Sequence, residues 1–295
     1  MTGFSIPTSK FDPTSLAPLI DLEPTVGAFF LGAITSVGLT GVTTLQSWLY
    51  FQKYPQDSIS FKLLVLFARI FDEAGGLEIF RSAISIHGGY YYSVKHWGNP
   101  RALQIPIWSM KLMIMLTNVI ELVVHGFFIH KVWQTTYGRA QILCSLITLF
   151  ALGDFAMGTA AYVTATMSSD YEGILHFIPS KFADAALACA VCADWLITGS
   201  LVKFFRDNES QFPRTNHLLK KLIFYSVNMG LLTSLADVVV LVLANITWPE
   251  LNFYQLTVFE IVGNLYANSL LAWYALLFQL NIDLPGVTVM GFMHF

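Results

Sequence analysis

The chain has 295 residues, of which 55% are hydrophobic and only 12% are charged, with a mean hydropathy of +0.59. Soluble domains carry about 25% charged residues, so this composition indicates a membrane protein. The net charge of -3 is too small to favour nucleic acid or another strongly charged partner.

The chain begins with a lead, residues 1–24, that holds four prolines and no basic stretch ahead of an apolar core. This pattern argues against a cleaved signal peptide. A helix needs about 20 apolar residues to cross a bilayer. Seven such stretches follow: 25–50, 60–83, 104–130, 140–166, 181–205, 219–246 and 253–279. We therefore predict an all-α fold, a single seven-helix transmembrane bundle over 25–280, and a short tail at 281–295.

The distribution of lysine and arginine predicts the orientation of the bundle, because cytoplasmic segments carry an excess of these residues. Nine lie on the side of the first, third and fifth connectors: Lys53, Lys62, Lys131, Arg139, Lys203, Arg206, Arg214, Lys220 and Lys221. Five lie on the other side: Lys10, Arg81, Lys95, Arg101 and Lys181. The N-terminus is expected outside and the C-terminus in the cytoplasm, in the plasma membrane or the endoplasmic reticulum.

Polar residues interrupt the predicted spans. The third span carries Asn118, Glu121 and His125 on one helical face, and the seventh carries Glu260, Asn264 and Asn268 at intervals of four. Carboxyl groups occupy further spans: Asp72, Glu73, Asp154, Asp194 and Asp237. Each unsatisfied polar group costs several kcal/mol in hydrocarbon, so these stripes are expected to face the bundle interior.

Each group also has a structural interpretation. Asn264 and Asn268 are the kind of residues that hydrogen-bond neighbouring helices. Glu121 with His125 is weak evidence for a metal site, and we expect neither a metal nor a cofactor. Asp154, Asp194 and Asp237 have no base within four residues on their own helix, so their partners must come from other helices or the acids must be neutral.

Several known classes are excluded by missing residues. The seventh span has no lysine, which a microbial retinal protein needs for its Schiff base. P-loop, nucleophile-elbow and H-E-x-x-H motifs are absent from the sequence, as is an aspartate-rich diphosphate motif.

Segments along most of the chain resemble a family of fungal, mainly basidiomycete, membrane proteins classed as domain of unknown function 6534. They are "LGAITSVGLTGVTTLQSWLYFQKYPQD", "KLLVLFARIFD", "ADWLITGSLVKFF", "NHLLKKLIFYSVNMGLLTSLADVVVLV" and "LYANSLLAWYALL". The resemblance implies seven helices with the N-terminus outside, and it implies no established reaction. The chain departs from the family after Asp72 and lacks the arginine that commonly ends the last helix, so it is similar to a diverged member.

Two functions of different classes are compatible with these patterns. One is a receptor-like or sensor-like protein whose cavity binds a small lipophilic molecule through Asn118, His125, Glu260, Asn264 and Asn268. The other is a membrane-embedded, acid-initiated terpenoid cyclase with these candidate acids: Asp72, Glu73, Glu121, Asp154, Asp194 and Asp237. Its chemistry needs one protonated carboxylic acid and aromatic walls. The expected partners are the lipid bilayer and the small ligand or substrate; the sequence indicates no particular protein partner.

Overall fold

The structure is a computed structural model that describes residues 23–53, 73–96, 99–103, 105–136, 138–167, 177–208, 216–246 and 253–283. No strand occurs in these residues. Seven helices have 18 residues or more: α1 Ala28–Lys53, α2 Glu73–Tyr90, α3 Trp108–Thr135, α4 Gln141–Met167, α5 Phe177–Asn208, α6 Asn216–Ile246 and α7 Tyr254–Asp283. Turns of π-helix at Glu23–Gly27 and Tyr91–Lys95, and a single helical turn at Pro100–Leu103, complete the described elements.

Five segments are long and apolar enough to cross a membrane, by length and composition: Glu23–Leu45, Trp108–Thr135, Gln141–Met167, Lys181–Asp207 and Ile223–Ile246. The chain is therefore a multi-pass integral membrane protein. The described parts of α2 and α7 are less apolar because they carry charged and amide side chains, among them Glu78, Arg81 and Glu260. Seven crossings and the direction of the termini stay predictions.

Most predicted spans coincide with the helices to within a few residues. The second differs, since it was expected at 60–83 and the described helix covers Glu73–Tyr90; residues 60–72 lie outside the described part. The helix continues beyond the predicted apolar stretch to Tyr90. In this extension Ser85, Gly88 and Gly89 are buried, whereas Ile86, His87 and Tyr90 are exposed. Gly88, for example, faces the ring of Phe29 on α1.

The seven helices form a closed ring in chain order. Each packs against the next along the chain, and α7 returns to pack against α1. Helix α3 also contacts α5 and α7, so it runs through the middle of the bundle. A side chain on the inner face of α3 can therefore meet residues from several other helices.

Apolar layers close the bundle on both sides of its middle. One layer includes Val132, Leu201, Phe205 and Trp273, all less than 2% exposed. The other is built by these residues: Val26, Phe29, Tyr92, Leu103, Met110 and Phe253. Large apolar side chains such as Leu149 are instead exposed on the outside, as is expected for helices that contact lipid.

Candidate functional site

A cluster of acidic side chains lies between the two apolar layers, and four helices contribute to it. Glu121 and His125 lie on α3, Asp154 on α4, Asp194 on α5 and Asp237 on α6; we name these five residues the acid cluster. All are at most 6% exposed. Because α3 runs through the middle of the ring, its polar face places Glu121 and His125 opposite the three aspartates.

Asp194 is the most connected member of the acid cluster. Its Oδ1 lies 3.2 Å from His125 Nε2. Its Oδ2 accepts hydrogen bonds from the hydroxyl of Thr233 on α6 and, at 3.1 Å, from that of Tyr266 on α7. Hydrogen bonds of this kind replace the water that a carboxyl group loses on burial.

Tyr266 joins a second aspartate to this network. Its hydroxyl is 2.9 Å from Asp237 Oδ2, and its ring meets the imidazole of His125 edge-on at 5.5 Å between centroids. The tyrosine is 1% exposed. It therefore bridges two carboxyl groups that come from different helices.

Some polar atoms of the acid cluster have no hydrogen-bond partner among the described residues. They include His125 Nδ1 and Asp154 Oδ2, which lie 3.9 Å apart, and also Asp237 Oδ1. Glu121 is close enough to interact electrostatically with Asp154, Asp194 and Asp237. The cluster thus holds four carboxyl groups against one imidazole, and full ionisation would leave it strongly negative inside an apolar bundle.

A small cavity adjoins Asp194. Its volume is about 30 Å³, enough for about two water molecules, and it is partly open. Asp194, Ser226, Thr233, Tyr266 and Ser269 contribute polar groups to its lining. The rest of the lining is mostly apolar: Val124, Phe128, Ile197, Leu201 and Trp273, together with Thr198 and Gly230.

A second polar group lies between α1, α2 and α7, and we name it the arginine cluster: Ser36, Glu78, Arg81, Glu260 and Asn264. Arg81 Nη2 lies 3.5 Å from Glu78 Oε2 and donates to the backbone carbonyl of Glu260 at 2.9 Å. Arg81 Nη1 lies 3.9 Å from Glu260 Oε1. One fully buried guanidinium thus lies between two buried carboxyl groups.

The amide stripe of α7 is bound to α1. Asn264 Nδ2 donates to Ser36 Oγ at 2.6 Å, and Thr43 donates to Asn268 Oδ1 at 2.9 Å. Asn268 also donates to the carbonyl of Asn264 at 2.9 Å. These contacts fit the interhelical interpretation of the two asparagines, and they place Glu260, Asn264 and Asn268 away from the cavity beside Asp194.

The structure therefore divides the predicted site residues into groups. Glu121, Asp154, Asp194 and Asp237 come together, with His125 among them, as expected from their burial. Asn118 is buried and packs over Gly158 on α4. The contact is close, since a Cβ added at that glycine would lie 2.5 Å from Asn118 Nδ2. Two other predicted residues, Asp72 and the side chain of Glu73, lie outside the described part.

Three residues in or next to the two clusters were not predicted to take part in the site: Arg81, Thr233 and Tyr266. Tyr266 lies in the last family motif and Thr233 in the motif of the sixth span, which was the available signal. Arg81 was expected to flank the second span on the outer side. That placement is wrong, because Arg81 is 0% exposed and lies against Glu78 and Glu260. No group of three or more His, Cys, Asp or Glu residues in the described part could hold a metal ion.

Comparison with known proteins gives one match. Searches among curated proteins and among solved structures found no significant similarity. The family model described as "Family of unknown function (DUF6534)" matches residues 190–276, which include Asp194, Thr233, Asp237, Glu260 and Tyr266. The resemblance found in the sequence is confirmed over this segment, which supplies the α5, α6 and α7 residues of the site: residues 190–276 match the model of DUF6534, a family whose function is unknown.

Proposed function

We propose that this membrane protein is a receptor-like or sensor-like protein that binds a small lipophilic molecule at the cavity beside Asp194. The observation that carries the proposal is the mixed lining of that cavity. Hydroxyl and carboxyl groups line it together with apolar side chains such as Phe128, Leu201 and Trp273. Ligand sites are typically apolar with a few placed polar groups.

The volume of about 30 Å³ limits what can enter. It suits a hydroxyl or amine end group that hydrogen-bonds Asp194, Ser226 or Ser269, while the remainder of the ligand stays outside. Thr198 and Gly230 are only half-buried at the contact between α5 and α6. We place the apolar remainder of the ligand along this seam, next to lipid.

The proposed orientation has the N-terminus outside and the C-terminus in the cytoplasm, in the plasma membrane or the endoplasmic reticulum. It rests on the excess of lysine and arginine in the connectors that follow α1, α3 and α5. On α5 the cavity lining extends from Asp194 toward the C-terminus, as far as Leu201, and on α6 it is N-terminal to Asp237. In alternating helices this places the cavity on the cytoplasmic side of the cluster.

An acid-initiated terpenoid cyclase is the second candidate. The convergence of Glu121, Asp154, Asp194 and Asp237 beside Tyr266 supplies acids and an aromatic wall for such a reaction. The cavity counts against it, because a cyclase must enclose its whole substrate and pockets for such molecules measure about 300–1,000 Å³. The end-group ligand is therefore the better-supported proposal.

Filling the cavity tests the ligand. Ser226→Leu places a branched apolar side chain at a buried lining position, and Ser200→Leu makes the same change at a half-buried position of α5 outside the lining. The proteins are purified from the same host, and the lipophilic molecules extracted from each are compared by mass spectrometry. We expect one molecule to accompany the wild type and Ser200→Leu and to be lost from Ser226→Leu.

The same purified proteins and their host cells distinguish a ligand-binding protein from a terpenoid cyclase. A molecule retained equally by Ser226→Leu, or none on the wild type, would contradict the ligand proposal. A new terpenoid that accumulates in the host with the wild-type chain, and is lost with Asp194→Asn, would favour the cyclase instead.

A further inference from the structure

The hydrogen bonds around the acid cluster require one more proton than its side chains carry in their usual ionised forms. Tyr266 lies within hydrogen-bond distance of both Asp194 Oδ2, at 3.1 Å, and Asp237 Oδ2, at 2.9 Å. A tyrosine hydroxyl has one hydrogen and can donate to only one of them. For both contacts to be hydrogen bonds, one aspartate must be protonated and donate to the tyrosine oxygen.

The contacts continue beyond the tyrosine. From Asp194 Oδ1 the next group is His125 Nε2 at 3.2 Å. The other ring nitrogen, Nδ1, points to Asp154 Oδ2 at 3.9 Å, and neither of these two atoms has another hydrogen-bond partner in the described part of the chain. An imidazole with one free nitrogen facing a free carboxylate oxygen is arranged to pass a proton on.

The helices that surround this chain of groups add few other charges. Glu121 on α3 lies beside it, Cys189 on α5 lies near Asp154, and Arg81 on α2 interacts at longer range with Glu121. A charge at the centre of a bilayer costs about 2.5–3.5 kcal/mol on insertion scales. Four carboxylates with so little compensation favour a cluster that retains protons.

We propose that Asp237, Tyr266, Asp194, His125 and Asp154 form a proton relay across the bundle interior, from α6 to α4. The proposal goes beyond ligand binding and does not depend on it. Its five residues come from five helices, α3 to α7, so the relay exists only when the bundle is assembled.

The proton transfer conserves both hydrogen atoms and charge. At the start Asp237 is protonated, Asp194 carries a proton on Oδ1, His125 is neutral with its hydrogen on Nδ1, and Asp154 is the anion. Asp237 gives its proton to the Tyr266 oxygen while Tyr266 gives its own to Asp194 Oδ2. Asp194 passes the Oδ1 proton to His125 Nε2, and His125 releases the Nδ1 proton to Asp154. One proton has moved, and the negative charge now lies on Asp237.

One link limits this transfer. The 3.9 Å between His125 Nδ1 and Asp154 Oδ2 exceeds a hydrogen bond by about 1 Å, so α3 and α4 must approach, or a water molecule must bridge, before the last step. Water reaches the relay through the cavity, whose lining includes Asp194, Thr233 and Tyr266. Asp237 is not part of that lining, so its proton exchanges with water through Tyr266.

Infrared spectroscopy of the purified protein in lipid tests the relay. The C=O stretch of a protonated carboxylic acid is separate from the amide and carboxylate bands, and it shifts when the acid proton exchanges for deuterium. Asp237→Asn should remove one such band, which identifies it, whereas Asp184→Asn near the N-terminal end of α5 should remove none. After transfer to D₂O, the Asp237 band should shift several-fold more slowly in Tyr266→Phe than in the wild type.

Tyr225→Phe is the matched control, because it removes the same hydroxyl from a residue that is 40% exposed on α6. Its exchange should equal that of the wild type. Equal exchange in Tyr266→Phe and Tyr225→Phe would overturn the relay, and so would an unchanged set of acid bands in Asp237→Asn. If Asp237→Asn does not fold, the relay still predicts that at least one acid band shifts several-fold more slowly in Tyr266→Phe than in Tyr225→Phe, and identical exchange of every acid band in the two variants would overturn it.

Discussion

Single buried residues carry unusually large electrostatic roles in this protein. Arg81 is 0% exposed, and it lies within ion-pair distance of Glu78 and Glu260. Removing one partner of a buried ion pair costs about 3–5 kcal/mol, because the remaining charge has no compensation. The arginine cluster should therefore depend on Arg81 more than its few hydrogen bonds suggest.

Replacing Arg81 tests this dependence. Arg81→Met should lower the free energy of unfolding by about 3–5 kcal/mol, since it leaves two carboxyl groups in a dry site. Lys203→Met, at an exposed position of α5, should change it by less than about 0.5 kcal/mol. Both are measured by denaturant unfolding in detergent. Adding Glu260→Gln to Arg81→Met should restore part of the lost free energy of unfolding, because it removes one uncompensated charge. If the double variant is no more stable than Arg81→Met, Arg81 does not compensate the charge of Glu260.

At the scale of the helices, close backbone approach fixes how α1 meets α7. A Cβ added at Gly32 would lie 2.9 Å from the Cα of Thr257 and 3.0 Å from its carbonyl oxygen. Backbone atoms cannot rotate away as a side-chain end can. Small residues at such crossings let transmembrane helices pack tightly, and here the crossing brings Ser36 and Thr43 within reach of the α7 amides.

Glycine substitutions along α1 separate packing from helix propensity. Gly32→Ala should destabilise the protein by about 1–3 kcal/mol, because α1 and α7 must move apart. Gly38→Ala and Gly41→Ala meet nothing within 4 Å, so each should be neutral or stabilise by up to about 1 kcal/mol. Thermal unfolding of the three variants in the same detergent measures the difference. Similar destabilisation by all three would contradict a specific contact at Gly32.

Helices and buried faces were largely predictable from the sequence, and partners between helices were not. Apolar length located the spans, and spacing placed Glu121 and His125 on one buried face. Which residues meet across the bundle depends on the order and rotation of the helices. The bridge from Asp194 through Tyr266 to Asp237 joins three helices, so no spacing within one span could indicate it. Arg81 was misplaced for the same reason, since its partner Glu260 is on α7.

The architecture of the whole molecule makes a direct prediction about sidedness. The connector after α2 should face outside and the connector after α3 should face the cytoplasm. In a background without native cysteines, Asn99→Cys should react with a membrane-impermeant maleimide in intact cells. Arg139→Cys should react only after the cells are permeabilised. Both positions are exposed. The reverse labelling pattern would invert the predicted orientation.

Acids from separate helices form one connected cluster, and a double-mutant cycle measures this connection. Asp194→Asn and Asp237→Asn are made singly and together, and the free energies of unfolding are compared. Because Tyr266 links the two carboxyl groups, their effects should differ from additivity by about 0.5–3 kcal/mol, whereas Asp184→Asn combined with Asp237→Asn should be additive. Additivity of Asp194→Asn and Asp237→Asn to within about 0.5 kcal/mol would contradict the cluster.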